Sequence, residues 1–349
     1  MIRPIGPIKP GVSRQMTVET TEPLYTRDID LKPIQNRRLA IVGYGNHGRS
    51  HALCLRDSGV SGIRIALRDG SPSRVKAEAD GFEVVSLPEA AAWADAISLL
   101  AADEAHRQIW TEAIEPHRKP GQALIVCHGF SIHYGLIAPP ADADIILAAA
   151  KGPGGAVRQE FEKGSGLIGF WAVHQDASGQ ARELALAYLA AIGSGQVGIF
   201  PTTFREETVS DLFGEQVVLV GGLVALAKAS YERLVAAGVS ERMAYIDCVH
   251  EIKYLADLIQ SRGIAGMYEA ISDTAEFGAR QIEDRIAGPE LKRVFDDAMA
   301  DIESDRFARK WVETYEAGDA MKAERAADRA LPIEAAGAEL RSRIYGATK

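Results

Sequence analysis

A chain of 349 residues with 47% apolar and 25% charged content is long enough for two domains with a core in each. Its formal net charge of −9 argues against non-specific binding to nucleic acid or to an anionic membrane. The sequence reads as free of a signal peptide and of any apolar run of membrane-spanning length. Cys54, Cys127 and Cys248 are odd in number and apolar in setting, so a cytoplasmic protein with reduced cysteines is expected.

In chain order, residues 1–36 are rich in proline, threonine and charge and read as an extended arm. From Arg38 short apolar stretches alternate with helical ones. Leu39–Val42, Ile63–Leu67, Ala96–Leu100, Ala123–Val126 and Asp144–Ala149 are expected as strands, and Arg49–Ser58 as a helix. That alternation points to an α/β Rossmann-like domain over residues 37–201, with a doubly wound, mostly parallel sheet. Beyond Pro201 only helical periodicity remains: 216–237, 240–262, 274–286, 289–304 and 305–317, with Gly238, Gly263 and Gly288 as stops. Residues 202–349 therefore read as a separate all-α domain.

Gly43-Tyr44-Gly45-Asn46-His47-Gly48 lies between the first strand and its helix, the context in which a glycine-rich turn cradles a dinucleotide pyrophosphate. The second strand ends in Arg68-Asp69-Gly70-Ser71-Pro72-Ser73. Arg68, Ser71 and Ser73 can hold the 2′-phosphate of NADPH by charge and hydroxyl donors, whereas Asp69 could serve the ribose of NADH instead. Three further loops at the sheet's carboxyl edge carry Asp103 and His106, then His128, then Lys151 and Gly154. His128 and Lys151 are placed for acid–base or charge-stabilising work, or else are a turn histidine and a solvated cation.

Two acidic pairs stand out in the helical half, Asp211 with Glu215 and Asp247 with Glu251. Each pair is four residues apart and so expected on one helix face, followed by strongly apolar sequence. Carboxylates on buried helices need a cation, a proton or a metal, and four oxygen ligands suit one or two Mg²⁺ ions. The competing reading is capping by Asp211 and pairing of Glu215 with Arg205 or Lys228.

His128-Gly-Phe-Ser-Ile-His-Tyr-Gly135, Lys151-Gly-Pro-Gly154, residues 202–216 from Thr202 to Gln216, and Ile271-Ser-Asp-Thr-Ala-Glu-Phe-Gly278 occur in an order that resembles ketol-acid reductoisomerase in its short bacterial form. The resemblance runs from about Arg38 to Ile344 and implies a knotted, all-α C-terminal domain behind the Rossmann domain. It implies rearrangement of 2-acetolactate or 2-aceto-2-hydroxybutyrate and NADPH-dependent reduction to the dihydroxy acid, in branched-chain amino acid biosynthesis. By that resemblance Asp211, Glu215, Asp247 and Glu251 hold the Mg²⁺ pair, Ser272 holds the substrate carboxylate, and His128, Lys151 and Glu251 are catalytic. Gly43, Tyr44, Gly45, Asn46, His47, Gly48, Arg68, Ser71, Ser73, Asp103 and Gly154 fall at the cofactor, and the assembly is an intertwined homodimer or a larger homo-oligomer with acids from both chains.

The chain departs from the family pattern at the site itself. Asp247 stands where the family has Glu, His47 and His106 where it has Gln, and Ser131 where it has Asn. Ala150, Gly155 and Ala270 also differ, as does the segment carrying Ile168 and Trp171. A divergent branched-chain enzyme competes with a paralogue that acts on another substrate, and with a non-catalytic dinucleotide-binding dimer.

Overall fold

The computed structural model describes residues 22–318 and 320–346. Residues 1–21 of the expected arm lie outside the described residues. The chain divides into two compact units, Met1–Thr208 and Val209–Lys349.

The first unit is built on eight strands: β1 (Leu39–Val42), β2 (Ile63–Ala66), β3 (Glu83–Val85), β4 (Ala96–Leu99), β5 (Ala123–Val126), β6 (Asp144–Ala150), β7 (Gly169–Gln175) and β8 (Ile199–Pro201). Their spatial order is β3-β2-β1-β4-β5-β6-β7-β8. The first six run parallel, β7 is antiparallel to β6, and β8 is parallel to β7. β1, β4 and β5 are buried at every position and apolar except at Ser98, as suits strands covered by helices on both faces. The order reverses between β1 and β4, so a crevice opens outside the carboxyl ends of those two strands. Strands β3, β7 and β8 were not anticipated. β3 is three residues at an edge, and β8 ends at Pro201, which only the rim of a sheet tolerates.

The rim at β8 is capped. Leu24 and Ile199 exchange both backbone hydrogen bonds at 2.9 Å, and Ile34 in the short helix Lys32–Gln35 is fully buried. The part of the expected arm that is described is thus docked on the sheet domain. Behind the sheet, the helix Ala181–Ala191 is apolar on nearly all sides and buried along most of its length.

The second unit is helical throughout its described residues. Its helices include Gly221–Ala236, Glu241–Tyr245, Ile252–Glu269, Asp273–Ile286, Pro289–Glu303, Arg306–Glu316, Ala320–Arg329 and Pro332–Tyr345. The expected stop at Gly263 is a break with φ 71° inside Ile252–Glu269. Its core is small: Tyr231, Ala244, Tyr245, Ile333 and Ala336 are buried together. Val218, Leu219, Val220, Leu223, Val224, Leu226, Ile264 and Phe277 stand exposed.

The expectation that no run is long and apolar enough to cross a membrane needs correction. The helix Phe204–Ala236 spans 33 residues and contains a window of mean hydropathy 1.6, of which 6% is buried within the chain. Glu215 and Lys228 bracket the apolar run in the sequence and make it read as short, whereas the helix continues through both.

Candidate active site

The glycine-rich turn performs three separate tasks. Gly43 has φ +96°, and a Cβ there would meet the Ala101 backbone nitrogen at 2.8 Å. A Cβ on Gly48 would meet the Gly43 carbonyl oxygen at 2.3 Å, so the first helix can close on its strand only through glycine. A Cβ on Gly45 would meet nothing within 4 Å, which leaves the helix N-terminus open to a phosphate group. These three environments fit a dinucleotide. Asn46 and His47 begin the helix Asn46–Asp57. Tyr44 is turned inward: it is buried, and its hydroxyl donates to Asp80 at 2.8 Å, so the backbone is what it offers a ligand. Arg49 clamps the same carboxylate through Nε and Nη2, at 2.7 and 3.0 Å. Gly154 packs against the turn, since a Cβ there would meet the His47 nitrogen at 2.6 Å.

Arg68, Ser71 and Ser73 lie on the loop after β2, with Arg68 and Asp69 both exposed and Ser73 opening the helix Ser73–Ala79. Asp103 begins the helix Asp103–Ile109, with its Oδ1 3.6 Å from His106 Nδ1.

The loops after β5 and β6 meet at a residue that sequence reasoning did not single out. Glu207, 3% exposed, accepts from the Gly129 amide at 2.8 Å and from Lys151 Nζ at 2.7 Å, and its Oε2 lies 3.1 Å from His128 Nδ1. Burial alone would raise the Glu207 carboxyl, but His128 and Lys151 together hold it down at about 2. Gly129 has no room for a side chain, because a Cβ would meet Thr208 Oγ1 at 2.3 Å and the Phe204 carbonyl at 2.9 Å. The result is one buried anion that keeps a partly exposed lysine charged and orients a histidine. A signal was present: Glu207 precedes Asp211 by the same four residues that separate Asp211 from Glu215.

In the helical unit the acids are less buried than expected. Asp211 is half-buried, whereas Glu215, Asp247 and Glu251 are exposed. Asp211 sits within the helix Phe204–Gly214 and so is not a cap, and Lys228 pairs with Asp328 at 2.7 Å. Both acidic pairs adjoin π-helical turns, Glu215–Leu219 and Ile246–His250, closed by Val220 N to Glu215 O at 3.0 Å and Glu251 N to Ile246 O at 3.1 Å. The widened second turn falls between Asp247 and Glu251, so these two do not stack as an α-helical pair would, contrary to expectation. Glycine makes the first turn possible: Cβ atoms on Gly221 and Gly222 would meet the carbonyls of Gln216 and Val217 at 2.1 Å. Four accessible carboxylates remain a hard-oxygen donor set suited to Mg²⁺. Ser272 is exposed and caps the helix Asp273–Ile286, accepting from the Ala275 amide at 3.2 Å.

Residues 33–198 match the acetohydroxy acid isomeroreductase NADPH-binding domain, and residues 204–345 match the ketol-acid reductoisomerase C-terminal domain. The chain belongs to the ketol-acid reductoisomerase family. It is accordingly an oxidoreductase/isomerase with a dinucleotide-binding domain. A solved NADH-preferring ketol-acid reductoisomerase from an uncultured archean is 41% identical, with a TM-score of 0.89, and the match covers 92% of this chain and 98% of that one. More distant are a semialdehyde dehydrogenase NAD-binding protein from Cupriavidus necator and a pyrroline-5-carboxylate reductase from Coxiella burnetii. The first is 17% identical with a TM-score of 0.58, covering 77% of this chain and 99% of that one. The second is 13% identical with a TM-score of 0.55, covering 77% and 98%. These two share the fold.

Proposed function

We propose that the chain is an NADPH- and Mg²⁺-dependent ketol-acid reductoisomerase of the cytoplasm, acting in branched-chain amino acid biosynthesis. It would convert 2-acetolactate or 2-aceto-2-hydroxybutyrate by alkyl migration and reduction to the 2,3-dihydroxy acid. The observation that carries this reading is the Glu207–His128–Lys151 cluster, built at the same sheet edge as the glycine-rich turn.

When bound, a reduced nicotinamide supplies the hydride, and divalent ions on Asp211, Glu215, Asp247 and Glu251 supply Lewis acidity. The chain's own groups prepare the rest. Glu207 holds Lys151 as an ammonium, which donates to a substrate oxygen that gains negative charge as the alkyl group shifts. His128, oriented through Nδ1 by Glu207, presents Nε2 as the group that moves a proton to or from the substrate hydroxyl. Ser272 would take the substrate carboxylate.

Arg68, Ser71 and Ser73 favour NADPH; Asp69 and the NADH preference of the 41% identical enzyme favour NADH. For the apolar helix faces we propose a second copy of this chain, because the helix Phe204–Ala236 carries Glu215 and Lys228, charges that a membrane span disfavours. That copy would also bring further acids to the exposed ligand set.

The test is oxidation of NADPH and of NADH by 2-acetolactate, with Mg²⁺ and with chelator. Turnover that needs Mg²⁺ supports the reading, and turnover indifferent to chelator removes the metal. Arg68→Ala should weaken NADPH more than NADH, and equal loss would show that Arg68 does not read the phosphate.

A further inference from the structure

Two buried polar side chains touch each other inside the sheet unit. His106, 2% exposed, lies at the carboxyl end of β4, and Ser131, fully buried, lies in the short helix Phe130–His133 after β5. His106 Nδ1 is 2.7 Å from Ser131 Oγ, and its Nε2 is 2.9 Å from the Ala101 carbonyl oxygen. A carbonyl can only accept, so Nε2 carries the proton, Nδ1 accepts, and the serine hydroxyl donates. Burial favours this neutral ring, with Asp103 pulling weakly the other way.

Each end of this bridge leads to a functional group. Ala101 is the wall against which Gly43 turns in the cofactor cradle, where a Cβ would meet its nitrogen at 2.8 Å. Ser131 follows Gly129 by two residues, and the Gly129 amide is bound to Glu207. We infer that His106 is a positioning residue, tying the back wall of the dinucleotide cradle to the loop that presents His128. The pair is also a matched volume: Asn at 131 alone would overfill a fully buried site, and Gln at 106 alone would leave a gap and misplace the acceptor. The two carboxamides together restore both size and pairing.

The turnover arm of the test rests on the reductoisomerase reading, and the binding arm does not. In the full-length protein, reduced-dinucleotide Kd is measured by fluorescence titration with NADPH and NADH, kcat is measured with 2-acetolactate, and Tm is recorded for each variant. His106→Gln and Ser131→Asn are each expected to raise Kd and lower kcat about tenfold, and the double variant to return both to within about threefold of the parent. Losses that multiply in the double variant would overturn the inference, as would single variants that lower Tm while leaving Kd unchanged. Should the parent fail to turn over 2-acetolactate, the proposed reaction falls, and the Kd cycle still decides the role of His106.

Discussion

The two units handle their charges and their apolar surface in opposite ways. In the sheet unit the acid at the site is sealed: Glu207 is buried and bound by His128, Lys151 and a backbone amide, and exposed large apolar side chains are few. In the helical unit three of the four site acids are exposed, and valine, leucine and isoleucine faces stand open. One half carries a buried, hydrogen-bonded polar cluster. The other leaves its carboxylates to be solvated by water and its apolar helix faces open, where contact with another apolar surface would be favourable.

Removing the sealed anion should have the largest effect. Glu207→Gln removes the negative charge that Lys151 and His128 share, and should lower kcat with 2-acetolactate by about 100-fold or more, with dinucleotide Kd within about threefold. A rise in Kd together with the fall in kcat would mean that Glu207 only holds the fold. The open half is probed by Asp211→Asn. Mg²⁺ should raise the Tm of the parent protein and leave that of the variant unmoved, read by thermal shift with and without the ion. The open apolar face is probed by Leu223→Asp, which should convert the proposed dimer to monomer by light scattering, whereas Val75→Asp on the sheet unit should leave the proposed assembly unchanged. A smaller loss is expected from Gly221→Ala, about 1–3 kcal/mol by chemical denaturation, because the added methyl meets the Gln216 carbonyl and must straighten the π turn beside Glu215.

The same contrast governs what could be read in advance. β1, β2, β4, β5 and β6 were legible within a residue because inner parallel strands are short, nearly continuous apolar runs, broken here only by Arg64 in the half-buried start of β2, Ser98 in β4 and Asp144 at the start of β6. The glycine turn was legible because its geometry forbids side chains at Gly43 and Gly48. β7, β8 and the docking of Ile34 were not, because rim strands are specified by what they pair with rather than by a local pattern. Glu207 escaped because a buried acid and a solvated helix acid look alike in sequence, and only the fold brings Lys151 to it. The acids at 211, 215, 247 and 251 were singled out by spacing and expected to be buried, but Asp211 is half-buried, the other three are exposed, and the π turn at Ile246–His250 breaks the second spacing, because apolar sequence beside an acid does not by itself fix which way the acid faces.

A last effect separates two sources of acid sensitivity inside the sheet unit. His51 is fully buried; its Nδ1 lies 2.9 Å from the Tyr188 hydroxyl, which also meets Ser98 Oγ at 2.8 Å, while its Nε2 has no hydrogen-bond partner. Burial, with a smaller push from His47, lowers its pKa from 6.5 to about 3. The folded value lies below the unfolded one, so between those limits the unfolded chain binds the extra proton. The stability His51 confers is complete above pH 6.5 and drains away as pH falls toward 3, at up to about 1.4 kcal/mol per pH unit. Glu207, also depressed, acts lower, its contribution present above pH 4.5 and lost on the way down to about 2. His51→Phe removes the first effect while Tyr188 keeps Ser98. Its unfolding free energy should therefore decline less steeply than the parent's between pH 6.5 and 5, with the remaining slope carried by His106 and His174, which burial lowers in the same direction. Parallel slopes for the two proteins would show that His51 takes up its proton without unfolding, and that the unpartnered Nε2 has a route to water.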